Sequence, residues 1–147
     1  MELFDYLNSA KTSLFRFESL QEYNVDNDSG SDDEMKEWWD FVSTKVANGV
    51  IMQRVRLITE PLTNYTKKEL EIHKKSVKFG DDIAIIKENV FELLNIDRED
   101  FWLINDKICL IMKYSDNGEY KGFEIEDKNI DRFISIKNKL LKNSLAL

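Results

Sequence analysis

Apolar residues recur at spacings of three and four from Leu3 through Leu7, Ala10, Leu14 and Phe17 to Leu20. That is one face of a helix and predicts one over residues 2–22. Residues 24–33 are turn formers and acids, and they end it. Ser31 or Asp32 then caps a second helix through Trp38, Trp39, Phe41, Val42 and Val46, which Asn48-Gly49 stops. Val50 to Ile58 is β-branched and alternating, with Ile51, Gln53, Val55 and Leu57 on one side and Met52, Arg54, Arg56 and Ile58 on the other. Pro61 has no backbone donor for a ladder, so Glu60-Pro61 ends that strand. Residues 64–77 read as a charged helix closed by Phe79-Gly80, and Asp82 to Ile86 as a short strand. Val90 to Leu94 either continues that strand or makes a helical turn.

Phe101 to Ile104 and Lys107 to Tyr114 form a hairpin around Asn105-Asp106. A second turn, Ser115 to Gly118, leads into a strand from Tyr120 to Glu126. Ile108 to Met112 is apolar on both faces, which places it centrally in a sheet. Asp127 or Asn129 opens a C-terminal helix striped by Ile130, Phe133, Ile134, Leu140, Leu141 and Leu145. No repeat or linker divides the chain. The expected architecture is a single α+β domain over residues 1–147, with an antiparallel sheet of four to five strands and N-terminal, middle and C-terminal helices.

Composition narrows the function. The chain has 147 residues, 42% of them hydrophobic, and a net charge of −7. That charge is a poor match for a polyanion, so direct nucleic-acid binding is not expected, and another protein is the expected partner. The longest apolar run falls far short of the roughly 20 residues a membrane span needs. The acidic start, Met1-Glu2-Leu3-Phe4-Asp5, stands where a secretory leader carries base, and a cytoplasmic location is expected. Cys109 lies in an apolar run and reads as a buried, inert thiol, while His73 reads as a solvated helix residue. With one cysteine and one histidine, no metal and no cofactor are expected. The acidic stretch after Asn24 fits no register of a calcium loop, and Glu34-Met35-Lys36 is too short a match to a nuclease site to carry weight.

Two features stand out from this background. Arg54 and Arg56, two apart on one strand, emerge on the same face roughly 6–7 Å apart. They suit an anion or internal pairing with Glu60, Glu69 or Glu71. Trp38 and Trp39 are adjacent and cannot share the centre of one helix face. Trp38 is expected in the core, with Trp39 at the rim as a partner-binding candidate.

Phe15-Arg16-Phe17-Glu18 with Tyr23-Asn24-Val25, then Arg54 to Tyr65, Gly80 to Ile83 and Asp100 to Asp106, follow one another across the chain. In that order they resemble a family of uncharacterised bacterial proteins, classed as a domain of unknown function and often found near helix-turn-helix regulators. Phe17 departs from the family's Leu, and Asp81-Asp82 from its Gly-Glu-Asp. The resemblance implies that Arg16, Glu18, Arg54, Arg56, Glu60, Tyr65, Asp100, Trp102 and Asp106 form one polar cluster, the candidate ligand site.

With no phosphate-cradling glycine loop, nucleophile elbow or metalloprotease helix, the expected function is non-catalytic: a binding or regulatory protein, acting with a helix-turn-helix regulator. One alternative is an enzyme or sensor that binds a phosphorylated or nucleotide-like ligand at the Arg/Glu/Tyr cluster. A second is an acidic DNA mimic.

Overall fold

The first departure from these expectations comes at the N-terminus. The computed structural model describes residues 1–21, Tyr23 and residues 31–147. Leu3–Asn8 is a short helix, α1, but Ser13–Glu18 is a strand, β1, where a continuous helix was expected. The three-and-four spacing misleads here because it runs on from α1 into β1 and masks the alternation of Phe15 and Phe17 with Arg16 and Glu18; every residue from Leu14 to Glu18 is buried. The Asn105 side-chain oxygen draws the chain out into the strand, accepting from the backbone N–H of Lys11 at 2.8 Å and Thr12 at 2.9 Å.

Beyond β1 the chain runs α2 (Asp32–Ala47), β2 (Ile51–Ile58), α3 (Asn64–Val77), β3 (Asp82–Lys87), α4 (Glu88–Glu92), β4 (Phe101–Ile104), β5 (Ile108–Tyr114), β6 (Tyr120–Glu126), α5 (Ile130–Asn143) and β7 (Leu145–Ala146). Ser31 caps α2 by accepting from the Glu34 N–H, and the Val90 region resolves as the helical turn α4. The Asn105-Asp106 turn carries φ values of +56° and +52° at its two central residues and is closed by the Lys107 N–H on the Ile104 carbonyl at 2.9 Å, with Ile104 paired to Ile108 across it.

The seven strands of the described residues form one mixed sheet in the order β6-β5-β4-β1-β2-β3-β7. The four-to-five-stranded antiparallel sheet is therefore corrected on both counts. β1, β2 and β3 are parallel, joined through the crossover helices α2 and α3, while β4 runs antiparallel on the other side of β1. Taking β1 for helix removes the first strand of this β-α-β-α-β run. The β2-α3-β3 unit stays legible as strand 50–58, helix 64–77 and strand 82–86, and it carries the sign of a parallel pair that the antiparallel expectation overlooks.

One face packs against α4 and α5, with Phe15, Phe17, Val55, Leu57, Phe101, Leu103 and Cys109 meeting Phe91, Phe133 and Leu140. On the other face the start of the parallel strands is apolar, Leu14, Met52, Ile104 and Leu110 packing with Leu7 of α1 and Val42 of α2. The later part of β1 and β2 on that same face is charged. In open sheets with parallel strands, ligands gather beyond the carboxyl ends of those strands.

Candidate functional site

Alternation places Arg16 and Glu18 of β1 beside Arg54 and Arg56 of β2, in the register Arg16↔Arg54 and Glu18↔Arg56. β4 adds Trp102 opposite Arg16, with Asp100 just before that strand. α3 lays Glu69 and His73, one helical turn apart, over the arginines. Asp81, at the mouth of β3, closes the far side.

Each arginine meets a carboxylate of the chain. Arg16 Nη2 lies 3.2 Å from Asp100 Oδ2, and Arg54 Nη1 lies 2.6 Å from Glu18 Oε1 with its Nε 3.7 Å from Asp81 Oδ2. Arg56 Nε lies 2.9 Å from Glu69 Oε1. His73 Nε2 sits between two carboxylates, 3.4 Å from Glu18 Oε1 and 3.3 Å from Glu69 Oε1. Asp100 is held further by the backbone N–H and hydroxyl of Ser19, at 2.8 and 2.6 Å, and by the Tyr23 hydroxyl.

Aromatic rings hold the guanidinium faces. Arg16 and Arg54 lie 5.2 and 5.4 Å from the centre of the Trp102 ring, Arg54 also lies 5.7 Å from Trp38, and Arg56 lies 5.4 Å from Tyr23. These are cation–π distances.

The charge states follow from burial set against neighbours. Burial works against ionisation of Glu18, but Arg54 and His73 overcome it and hold its carboxyl well below the usual range. Burial likewise opposes charge on His73, but Glu18 and Glu69 outweigh it and raise its pKa. Burial pushes Asp81 upward against the pull of Arg54, and it pushes the Tyr23 hydroxyl well up, with Glu18 and Asp100 adding to it.

The structure thus brings together Arg16, Glu18, Arg54, Arg56, Asp100 and Trp102, with half-buried Tyr65 beside Tyr23 at a ring separation of 5.8 Å. Two candidates fall outside. Glu60 is exposed past the end of β2, facing Lys87 at 3.9 Å. Asp106 sits in the β4–β5 turn at the opposite end of β1 and pairs with Lys137 at 2.8 Å. Trp39 is not a rim residue: it is buried, donates to the Ser76 hydroxyl at 2.8 Å and stacks on Phe79 at 5.0 Å. Trp38 is the half-buried one, against Trp102 and Arg54. The two exchange roles because α2 packs against α3 as well as the sheet. The cluster's further members, Tyr23, Glu69, His73, Asp81 and Tyr114, arrive mainly by long-range pairing, although the Glu69–His73 spacing of four already put those two on one helix face. His73 is buried, so its reading as a solvated residue is corrected.

Residues 1–147 match the family described as Domain of unknown function (DUF6879). The chain belongs to that family. No curated protein matches it. The stretch from Asn24 to Gly30, with the acidic loop tested for calcium and part of the Tyr23-Asn24-Val25 motif, lies outside the described residues of this DUF6879 domain.

Metal binding needs reconsidering, because the fold gathers ligands that the sequence scatters. Among the described residues, Glu18, Glu69 and His73 bring potential ligand atoms within 4.8 Å of one another. The donor set does not fit a dication, since Arg54 and Arg56 already face the carboxylate oxygens that would ligate it. An imidazolium at 3.4 and 3.3 Å from the same two carboxylates balances their charge without displacing the arginines. A chelator should therefore leave the melting temperature unchanged, and a fall of more than a few degrees would assign the trio to a metal.

His73 predicts a pH signature. A histidine whose folded pKa is raised stabilises the fold fully below its unfolded value of about 6.5, and that contribution fades as pH rises through the folded value. It faces Glu18 of β1, Arg54 and Arg56 of β2, Glu69 of its own helix, and Asp81, whose raised pKa acts in the same direction. In melts from pH 5.5 to 9, the gap between wild type and His73→Gln should be widest at the acid end and narrow steadily. A gap constant across the range would show that folding leaves the His73 pKa at its unfolded value, and a gap that widens toward the alkaline end would show that the fold holds His73 neutral.

Proposed function

We propose that this DUF6879 domain is a non-catalytic binding protein with a regulatory role, and that the polar layer over β1 and β2 is its binding site. The pairing of Arg16, Arg54 and Arg56 with Asp100, Glu18 and Glu69 of the same chain carries this reading. A general acid or base must exchange a proton with its substrate. Glu18 is bound by Arg54 and flanked by His73, and Asp100 takes the donors of Arg16, Ser19 and Tyr23. These carboxylates aim guanidinium groups and are not available to react. The thiol of Cys109 offers no nucleophile to the layer either: it is buried among the core residues of the opposite face, and burial pushes its pKa upward.

Among the described residues no helix is long and apolar enough to cross a membrane. A cytoplasmic bacterial setting is part of the proposal, with a protein partner, a helix-turn-helix regulator, receiving the signal. Incubation with a panel of phosphorylated and carboxylated metabolites tests it. At least one compound should raise the melting temperature through binding to the native state and be recovered unchanged by mass spectrometry. Formation of product from any of them would overturn the reading.

A further inference from the structure

We infer that the polar layer is an oxyanion site, in which the free N–H edges of Arg16 and Arg56 grip a phosphate or carboxylate group. This rests on the assignment of the layer as the binding site, and adds the chemistry of what binds there.

Internal pairing uses only part of each guanidinium. Arg56 has a fully buried side chain whose Nε lies 2.9 Å from Glu69 Oε1 in an ion pair without hydrogen-bond geometry, and its Nη1 and Nη2 are buried with no hydrogen-bond partner either. Arg16 donates through Nη2 to Asp100 and Tyr114, and its Nη1 is likewise buried and unpartnered. A buried donor without an acceptor costs stability, and a charged one costs more than a neutral one. Five guanidinium nitrogens of the layer lack a hydrogen-bond partner. Arg54 Nε and Arg56 Nε at least face Asp81 and Glu69. Arg16 Nη1 and Arg56 Nη1 and Nη2 have no carboxylate of the chain paired with them, and acceptors from outside the chain would satisfy these three. Arg16 and Arg56 stand diagonally on neighbouring strands, roughly 8 Å apart at the backbone, so two long side chains can converge on one group.

The same contacts select the ligand's chemistry. Trp102, Trp38 and Tyr23 already hold guanidinium groups, so the rings are committed and the arginines present edges, not faces. A guanidinium edge matches the paired oxygens of a carboxylate or phosphate. The ligand is therefore recognised through its oxyanion and not through a stacked base. Glu18, Asp100 and Glu69 would repel an anion. Each lies on the side of its own arginine partner, Glu18 at Arg54, Asp100 at Arg16 and Glu69 at the Nε of Arg56, and Glu18 and Glu69 are also flanked by His73. Ordered water could satisfy the same three nitrogens, and the experiment must separate it from a ligand.

Thermal melts and calorimetry on the full chain, with inorganic phosphate, acetate and chloride at equal ionic strength, make that separation. Phosphate or acetate should stabilise saturably while chloride does not. Phosphate alone would mark a phosphoryl ligand and acetate alone a carboxylate. Arg56→Lys keeps the charge but loses the two-nitrogen edge, and it should fold as judged by circular dichroism and bind the effective anion at least tenfold more weakly. Wild-type responses identical in all three salts would mean that water fills the layer, and would overturn the inference without any variant. So would undiminished anion binding in Arg56→Lys, or a panel metabolite that stabilises Arg56→Lys as well as wild type. Those outcomes leave the non-catalytic reading standing, whereas product formation removes that reading and not the anion contacts.

Discussion

Arg54→Ala should be among the most destabilising single substitutions in the polar layer, by about 3–5 kcal/mol, which lowers the melting temperature by roughly 10 °C or more in a chain of this size. The Arg54 side chain is 11% exposed and lies between Glu18 and Asp81, which are 8% and 4% exposed. Its removal leaves two buried carboxylates facing each other's charge with their shared cation gone. The cost is the desolvation of the orphans and not the worth of one ion pair. Glu18→Ala should also destabilise, but the double variant should lose less than the sum, with a coupling of about 0.5–3 kcal/mol. Lys87→Ala is the control, because the exposed Lys87–Glu60 pair should contribute nothing measurable. A melting temperature for Arg54→Ala within 2 °C of wild type, roughly half a kcal/mol, would mean that the layer is wet and loosely held.

The second large effect is expected at Trp39. Trp39→Ala removes an indole that stacks on Phe79 at 8° between planes and fills the gap between α2 and α3, and the expected loss is about 3–5 kcal/mol. Trp39→Phe keeps a ring but removes the indole donor to the Ser76 hydroxyl, which keeps its bond to the Ile72 carbonyl at 3.2 Å, and should cost about 1 kcal/mol. Trp38→Ala should cost less than Trp39→Ala, yet weaken anion binding, because Trp38 backs Arg54 and Trp102. Equal losses at the two tryptophans, measured by denaturant unfolding, would contradict the assignment of Trp39 to the α2–α3 seam.

Gly80 explains how α2 comes close enough for that seam. Its φ is +106°, and a Cβ there would lie 2.9 Å from Val46 Cγ2, so only glycine lets the end of α3 turn against α2.

What the sequence made legible depended on whether a local pattern stood uncontested. β2 alternates, the β4–β5 hairpin carries left-handed turn residues, and α5 has an apolar stripe, so each could be read locally although β2 and β4 are buried on both faces. β1 alternates too, but the three-and-four spacing that begins in α1 continues through Leu14 and Phe17 and competes with it. Losing β1 took one of the three parallel strands from the expected sheet, and it left His73 looking solvated, because the Glu18 it meets lies in the unrecognised strand. Arg54 and Arg56 were readable from spacing alone, with Glu69 one of three carboxylates, beside Glu60 and Glu71, offered as their partners. Arg16, Glu18, Asp100, Trp102 and Tyr65 came through the family resemblance. That same route wrongly carried in Glu60 and Asp106, which neighbour the cluster in sequence but not in space.

The most direct test of the central claim is a titration followed by the guanidinium nitrogen resonances of the arginines, using whichever of phosphate or acetate stabilises the wild-type protein. The account predicts saturable shifts at the Nη nitrogens of Arg56 and Arg16, with the indole of Trp39 unmoved. Arginine signals that stay fixed while the anion binds would place the ligand elsewhere and contradict it.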